Sequence, residues 1–217
     1  CNAVASITDG LGGTTCYSYD IRGRKIAEYG TAIQPACFAY DEADHMVTLT
    51  TFRADEGDIT SDPSNPTDGD TTTGLYDEAT GLKVKKTYAD GSSTIKTYDK
   101  FNRLETLTKA RGIVTTYAYA PLTGELVSVS HSDDTPGWKF TYNHIGQMTY
   151  VRDASGLREF SYDAYGRTQQ DTSFGTVESS LQEEYDPLGR SEGYRLMLGT
   201  RTVQHSHLDY DSKGGMI

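Results

Sequence analysis

Large hydrophobic side chains are scarce in this sequence of 217 residues, which argues against a compact globular core. The hydrophobic set AVILMFWYC makes up 35% of the chain and tryptophan occurs once. No stretch approaches the roughly 18 apolar residues of a membrane span, and no charged-then-apolar signal segment opens the chain. We therefore expect a thin, sheet-rich protein without membrane insertion.

Positive charge is also scarce. The chain has 20 Lys and Arg against 31 Asp and Glu, a formal net charge of −11. Phosphate binding needs clustered cations, and the basic residues here are scattered among the acids. This balance excludes nucleic acid as the expected partner.

Recognisable catalytic motifs are missing as well. There is no nucleophile elbow, no phosphate loop and no zinc-protease motif, and no spacing of Ser, His and Asp singles out a triad. We therefore expect no enzymatic activity and no cofactor, and we predict no catalytic, cofactor-binding or metal residue.

Tyrosine, by contrast, is abundant. Nine of the 16 tyrosines stand four or five residues before a glycine, asparagine or aspartate, and they recur about every 22 residues. These anchors are Tyr19, Tyr40, Tyr76, Tyr98, Tyr119, Tyr142, Tyr162, Tyr185 and Tyr210. Because repeated units bury their apolar faces against their neighbours, the period predicts one array of about nine units over residues 1–217.

Each unit reads as two strands joined by a tight turn. Tyr17 and Tyr19 alternate with Ser18, as in a half-buried strand. Asp20 suits the first position of a type I turn, and Gly23 suits the fourth, where a positive φ leads into a bulge. The equivalent turn residues are Gly23, Asp44, Gly81, Asn102, Gly124, Gly146, Gly166, Gly189 and Gly214. All nine are residue types that tolerate the left-handed region.

Aromatic residues also recur two positions before the anchor, at Tyr17, Phe38, Tyr117, Phe140 and Phe160. We expect these rings to stack between neighbouring strands of the same face. The best helix candidate is the segment 178–185, which is short and runs into an anchor, so we expect no more than a frayed turn there.

Cys16 and Cys37 occupy equivalent positions, three residues before their anchors. With two strands per unit they would stand about 9–10 Å apart, beyond the ~6.8 Å Cα limit of a disulfide. We therefore predict thiols, whereas a Cys16–Cys37 disulfide would mean one strand per unit. Three cysteines provide no disulfide framework.

These residues carry a resemblance to a known family. The motif consists of the anchor tyrosine, its aspartate, the turn residue and a following arginine. Its members here are Tyr19, Asp20, Gly23, Arg24, Tyr40, Asp41, Tyr76, Asp77, Gly81, Tyr98, Asp99, Asn102, Arg103, Tyr119, Gly124, Tyr142, Gly146, Tyr162, Asp163, Gly166, Arg167, Tyr185, Asp186, Gly189, Arg190, Tyr210, Asp211 and Gly214. The chain resembles the Rhs/YD-repeat family of bacterial Rhs toxins, wall-associated proteins, ABC toxin shell components and teneurins.

The resemblance implies an all-β fold, a curved antiparallel sheet of strand-turn-strand units that forms part of a spiral shell. The implied function is non-catalytic encapsulation of a C-terminal cargo or toxin domain, in a secreted or cell-surface bacterial protein. The expected partners are that cargo, the remaining repeats of a longer chain, and other copies through open sheet edges. Since the chain runs from Cys1 to Ile217, just past a turn glycine, we expect it to be a fragment.

The sequence also departs from the family pattern. Aspartate is replaced by Ala120 and Asn143, and the arginine after the turn is replaced by His45, Leu82, Glu125, Gln147 and Gly215. The alternative function is cell-surface adhesion or glycan binding, as the teneurin-like relatives imply, with Trp138 at a strand start as a candidate stacking residue.

Two clusters provide alternative metal sites. The long interval contains an acidic insertion at 53–73, whose Asp62, Asp68 and Asp70 suit a calcium loop, although a plain surface loop is the other interpretation. His205, His207, Asp209 and Asp211 alternate along one predicted strand, where a His-x-His pair can chelate zinc or nickel. The other interpretation is a polar outward face, with Asp211 capping its turn.

Overall fold

The computed structural model describes residues 5–52 and 69–216. The chain divides into two compact units, Cys1–Val114 and Thr115–Ile217. The described residues contain strands, turns and bends and no helix. None of their segments is therefore a helix able to cross a bilayer.

The described residues of the first unit, 5–52 and 69–114, contain nine strands. They are β1 Ser6–Thr8, β2 Thr14–Tyr19, β3 Lys25–Tyr29, β4 Ala36–Tyr40, β5 Met46–Thr51, β6 Asp70–Tyr76, β7 Lys83–Thr87, β8 Ser93–Tyr98 and β9 Leu104–Thr108.

The second unit, described up to residue 216, also contains nine strands, the first of which starts at Val114, the last residue of the first unit. They are β10 Val114–Tyr119, β11 Leu126–His131, β12 Trp138–Tyr142, β13 Met148–Asp153, β14 Gly156–Tyr162, β15 Thr168–Phe174, β16 Ser179–Tyr185, β17 Ser191–Leu198 and β18 Arg201–His207.

Within each unit, every strand pairs antiparallel with the next strand along the chain. The tyrosine-containing strand and its successor form a hairpin, and a second turn leads to the following hairpin. The predicted fold class, an all-β protein built from repeated antiparallel strand-turn-strand units, is confirmed. Whether the nine repeats form one array remains a prediction.

The turn geometry matches the sequence pattern at all nine positions. Asp44 (φ 65°) and Asn102 (φ 63°) are the non-glycine residues with positive φ in the described part of the chain. The other seven turn positions are glycines with φ between 70° and 86°, namely Gly23, Gly81, Gly124, Gly146, Gly166, Gly189 and Gly214. A positive φ is therefore what selects the residue type at this position.

A β-bulge lies at the anchor tyrosine of each of the eight hairpins that are strand-paired. In the first hairpin the register shifts between Ser18 and Tyr19, and Tyr19 pairs with Lys25. The same shift occurs immediately before Tyr40, Tyr76, Tyr98, Tyr119, Tyr142, Tyr162 and Tyr185. The turn with its bulge was therefore predicted correctly.

The segment 178–185 contains no helix, as expected, and most of it is strand and not a frayed turn. Strand β16 covers Ser179–Tyr185 and pairs with β15 on one side and β17 on the other. Hydrogen bonding along both edges of the strand outweighs the weak helical preference of its Gln and Glu residues.

The acidic insertion ends earlier than the sequence predicts. Strand β6 begins at Asp70, and Thr51 pairs with Asp70 while Thr48 pairs with Thr73. Residues 70–73 are therefore strand, which places Asp70 in the sheet. Asp62 and Asp68 of the calcium hypothesis lie outside the described residues.

The predicted ring stacking between Tyr17 and Phe38 does not form. Strand β3 separates their strands, and the ammonium of its Lys25 lies 5.6 Å from the Tyr17 ring and 4.8 Å from the Phe38 ring. Because equivalent positions are two strands apart, a cation from the intervening strand occupies the gap.

Burial is slight in both units. In the described residues no large side chain is fully buried, and the one buried cluster, in the first unit, consists of Ala27, Cys37 and Phe52, with Tyr29 packed against it. Cross-strand threonine pairs such as Thr50–Thr71, whose Oγ1 atoms are 2.9 Å apart, satisfy polar groups nearby. Each unit therefore depends more on its hydrogen bonds than on a thick core.

The strand count per unit agrees with the cysteine argument. Strand β3 lies between the strands of Cys16 and Cys37, with Tyr29 opposite Cys16 and Ala27 opposite Cys37. Cys16 is a free cysteine. The condition for a disulfide, one strand per unit, is not met here.

Candidate functional site

The aspartate after the anchor tyrosine caps the turn. Oδ1 of Asp20 accepts hydrogen bonds from the backbone N–H groups of Arg22 and Arg24, both at 2.9 Å. Asp41, Asp99, Asp163 and Asp186 accept the same pair of backbone bonds in their own turns. The carboxylate therefore satisfies donors that a tight turn would otherwise leave open.

The residue four positions later holds the second carboxylate oxygen. Arg24 Nε donates to Asp20 Oδ2 at 2.6 Å, and arginine–aspartate pairs recur at 99/103, 163/167 and 186/190. Where the aspartate is Asn143, the arginine is Gln147, and Asn143 Nδ2 donates to Gln147 Oε1 at 2.9 Å. Two of the departures from the motif thus compensate each other.

His45 is a second compensating departure. Its Nδ1 lies 3.0 Å from Asp41 Oδ2, so a ring nitrogen takes the place of the guanidinium. Sequence reasoning treated His45 and Gln147 as losses of the motif. The sequence signal that identifies His45 and Gln147 is a side chain able to bond the capping Asp or Asn four positions earlier.

Three turns lack this pair. Asp77 in its longer turn accepts bonds from the N–H and hydroxyl of Thr80, and Asp211 accepts bonds from the backbone N–H groups of Lys213 and Gly215. Ala120 supplies no carboxylate, and its turn contains the backbone hydrogen bonds from the Ala120 N–H to the Glu125 carbonyl and from the Gly124 N–H to the Ala120 carbonyl. The backbone geometry therefore survives without the side-chain cap.

The hydrogen bonds shift the acidity of the capping carboxyls. Burial raises the pKa of Asp20, but hydrogen bonds from the N–H and guanidinium of Arg24 and from the Arg22 N–H outweigh it and lower this pKa below its ordinary value. The same opposing causes lower the pKa of Asp41, Asp99, Asp163 and Asp186.

The residue after the turn also reaches the next repeat. Arg24 Nη1 donates to the Asp41 carbonyl at 2.9 Å and to Asp44 Oδ1 at 2.6 Å, and Gln147 Nε2 donates to the Gly166 carbonyl at 2.7 Å. The side chain from one turn therefore binds the following turn directly.

Side chains at this position after the turn also lie over the anchor tyrosine ring of the next repeat. The guanidinium carbon of Arg167 lies 4.0 Å from the Tyr185 ring centroid, and that of Arg190 lies 4.1 Å from Tyr210. The His45 ring stacks on Tyr76 at 4.5 Å and 12°. Cation–π and stacking contacts thus link consecutive turns.

The anchor hydroxyl forms the third link. Tyr40 donates to the carbonyl of Lys25, the first residue of β3 in the preceding hairpin, at 2.9 Å. Equivalent bonds of 2.6–3.0 Å join Tyr76 to Met46, Tyr98 to Lys83, Tyr142 to Leu126, Tyr162 to Met148, Tyr185 to Thr168 and Tyr210 to Ser191.

Strand geometry explains why a hydroxyl is needed there. The β3–β4 ladder stops at the pair Ala27–Cys37, two residues beyond Lys25. The other six accepting carbonyls also lie two residues outside the ladder to the next hairpin. The tyrosine side chain spans the gap where the backbone ladder has ended, which phenylalanine would not do.

We call these residues, the anchor, cap, turn and following residues of each hairpin, the tyrosine-aspartate row. Its carboxylates are held by N–H donors and its hydroxyls by carbonyls. Burial raises the pKa of Tyr142, with a further increase from the charge of Glu125, so its hydroxyl remains a donor. The arrangement joins consecutive hairpins.

The candidate metal residues of the second unit do not converge. His205 Nε2 lies 3.2 Å from Glu184 Oε2, His207 Nε2 lies 3.2 Å from Asp209 Oδ1, and Asp211 caps its own turn. Strand β18 ends at His207, so Asp209 and Asp211 leave the predicted alternation. Across 5–52 and 69–216, no three His, Cys, Asp or Glu side chains are grouped to hold an ion.

Trp138 begins β12, as predicted, and is 39% exposed. Its ring contacts His131 edge-on, with centroids 5.7 Å apart. Thr115 Oγ1 lies 3.0 Å from His131 Nδ1. The tryptophan therefore packs against His131 and keeps 39% of its surface accessible.

Comparison with solved structures finds chains of Tc toxins. The crystal structure of TcdB2-TccC3-TEV is 12% identical, with a TM-score of 0.43 over 93% of this chain and 16% of that chain. A TccC3 mutant of the Photorhabdus luminescens Tc holotoxin pore is 13% identical, with a TM-score of 0.43 over 95% and 15%. The chain thus spans about a sixth of the length of these neighbours. No family model and no curated protein matches the sequence.

Replacing the anchor hydroxyl tests its structural role. Tyr162→Phe removes the bond to the Met148 carbonyl, and we expect a loss of about 0.5–1.5 kcal/mol in unfolding free energy, measured by urea titration with circular dichroism. The control is Tyr165→Phe, whose side chain is 86% exposed and should change stability by less than about 0.5 kcal/mol. Equal effects of the two variants would contradict the assigned role.

Acid should weaken the caps in a defined window. A carboxyl whose folded pKa is lowered stabilises the fold above its unfolded pKa of about 3.9 and loses that contribution as pH falls through the lower folded value. The urea midpoint should therefore drop below about pH 4. The matched control is Asp163→Asn with Arg167→Gln, which copies the non-titrating Asn143–Gln147 pair and should flatten the decline. An unchanged pH profile would argue against the caps.

Proposed function

We propose that the chain is a structural segment of a hollow repeat-built wall that encloses a cargo domain. The proposal rests on the sequence resemblance together with the tyrosine-aspartate row. In this role the protein acts by steric separation and performs no reaction. The expected setting is a secreted or cell-surface bacterial protein, and the expected partners are further repeats and the enclosed domain.

The observation that carries the proposal is the link between consecutive hairpins. Seven anchor tyrosines bond the preceding hairpin at the same backbone position. Such contacts join each repeat only to its neighbours, so the array can extend by adding units and needs no central core. Little burial of large side chains is the expected property of a wall that is one sheet thick.

Glycan binding is the second candidate, and the accessible part of Trp138 favours it. Aromatic rings with one open face stack on sugars through their apolar surface. The site would consist of one ring beside His131, with Asp133 near the same turn.

Electron microscopy of the natural full-length polypeptide, combined with limited proteolysis, tests the proposed wall. We expect hollow particles and a cargo region that resists protease until the particles are unfolded. Extended particles with a protease-sensitive cargo region would contradict encapsulation. A glycan array provides the control, since reproducible binding that Trp138→Ala abolishes would favour adhesion instead.

A further inference from the structure

The tips of four consecutive turns in the second unit form an exposed, uncharged row. The row consists of Pro121, Leu122, His144, Ile145, Ala164, Tyr165, Pro187 and Leu188, all of which are exposed. We call these eight residues the tip row. They lie between the capping position and the turn glycine, together with Thr123 in the longer fifth turn.

The fold itself does not require the four large side chains of the tip row. Leu122, Tyr165 and Leu188 are 98%, 86% and 79% exposed, and Ile145 is 63% exposed. The cap uses only the backbone at this position, as when the Leu188 N–H donates to Asp186 Oδ1. Turns normally favour small polar residues here, so large apolar side chains need a different explanation.

Turns elsewhere in the chain provide an internal comparison. In the first unit each tip carries a charged residue, namely Arg22, Glu42, Glu78 or Lys100. The ninth turn, which follows the tip row, carries Lys213. Charge is thus depleted from four adjacent turns of a chain that is 24% charged, which is the composition expected at the centre of a protein interface.

The size of the row limits what it can bind. Neighbouring tips are two strands apart, about 9.5 Å, so four tips extend over roughly 29 Å. At roughly 150 Å² for each of the four large side chains, the row exposes on the order of 600 Å². Such a patch is at the upper end for a monomer and approaches the ~800 Å² that each partner buries in a stable interface.

We propose that the tip row is a self-association surface whose occupant is the tip row of a second copy of this chain. Only a row with the same repeat spacing keeps apolar tips opposite each other along its whole length. A two-fold axis between Ile145 and Tyr165 sets Leu122 of each copy opposite Leu188 of the other, in the self-complementary manner of an isologous interface. The inference rests on the proposed wall, because it assigns the surface through which wall segments join at their turn tips.

Sedimentation velocity of the chain across a concentration series tests this surface. We expect a reversible monomer–dimer equilibrium. Because the row is apolar, association should persist in high salt, unlike a contact based on charge. The variant Leu122→Ser/Ile145→Ser/Leu188→Ser should weaken dimerisation at least about a hundredfold while leaving the circular dichroism spectrum unchanged.

The matched control is Ile21→Ser with Phe101→Ser. Ile21 and Phe101 lie at turn tips of the first unit and are 105% and 61% exposed, but they are outside the tip row. The control variant should therefore dimerise like the unaltered chain. The proposal would be overturned by a chain that stays monomeric, or by a dimer that persists in the triple variant. It would also be overturned if the unaltered chain stays monomeric but binds phosphatidylcholine vesicles and the triple variant does not bind them. None of these outcomes bears on whether the full-length protein forms hollow particles, so the two proposals fail separately.

Discussion

Seven anchor tyrosines donate their hydroxyl to a carbonyl at the equivalent position of the preceding hairpin, where the backbone ladder between the two hairpins has ended. Each tight turn with its bulge leaves one carbonyl of the returning strand beyond the ladder to the next hairpin, and an anchor tyrosine of that next hairpin reaches it. The bond spans two repeats and joins backbone to side chain, so it fixes how one hairpin lies against another. A buried or half-buried carbonyl without a partner is costly, which explains why the anchor carries a hydroxyl.

The remaining polar groups of the row support this bond. In six of the nine turns the capping Asp or Asn holds the side chain four positions later, and Arg24 and Gln147 at that position also bind the following turn. Stabilisation is therefore a sum of terms within repeats and terms between nearest neighbours. This explains how a chain with only 35% hydrophobic residues holds many strands with little core.

The periodic turns of this structure could be predicted from the sequence because their causes are local. A positive φ restricts residue choice, so Gly23 and its equivalents, including Asp44 and Asn102, identified every turn. The tyrosine–carbonyl bonds could not be predicted, since the acceptor is a backbone atom that any residue type supplies. Lys25, Met46 and Thr168 share no side-chain chemistry but have the same role.

The local pattern failed where strand pairing decides, as at residues 70–73, which were assigned to the acidic loop but pair with β5 as the start of β6. The central claim is that turn-to-turn contacts at the anchor tyrosine hold neighbouring hairpins together. A double-mutant cycle of Arg167→Ala and Tyr185→Leu, measured by urea unfolding, tests it most directly. The account predicts a coupling energy of about 0.5–2 kcal/mol, whereas additive effects within about 0.3 kcal/mol would contradict it.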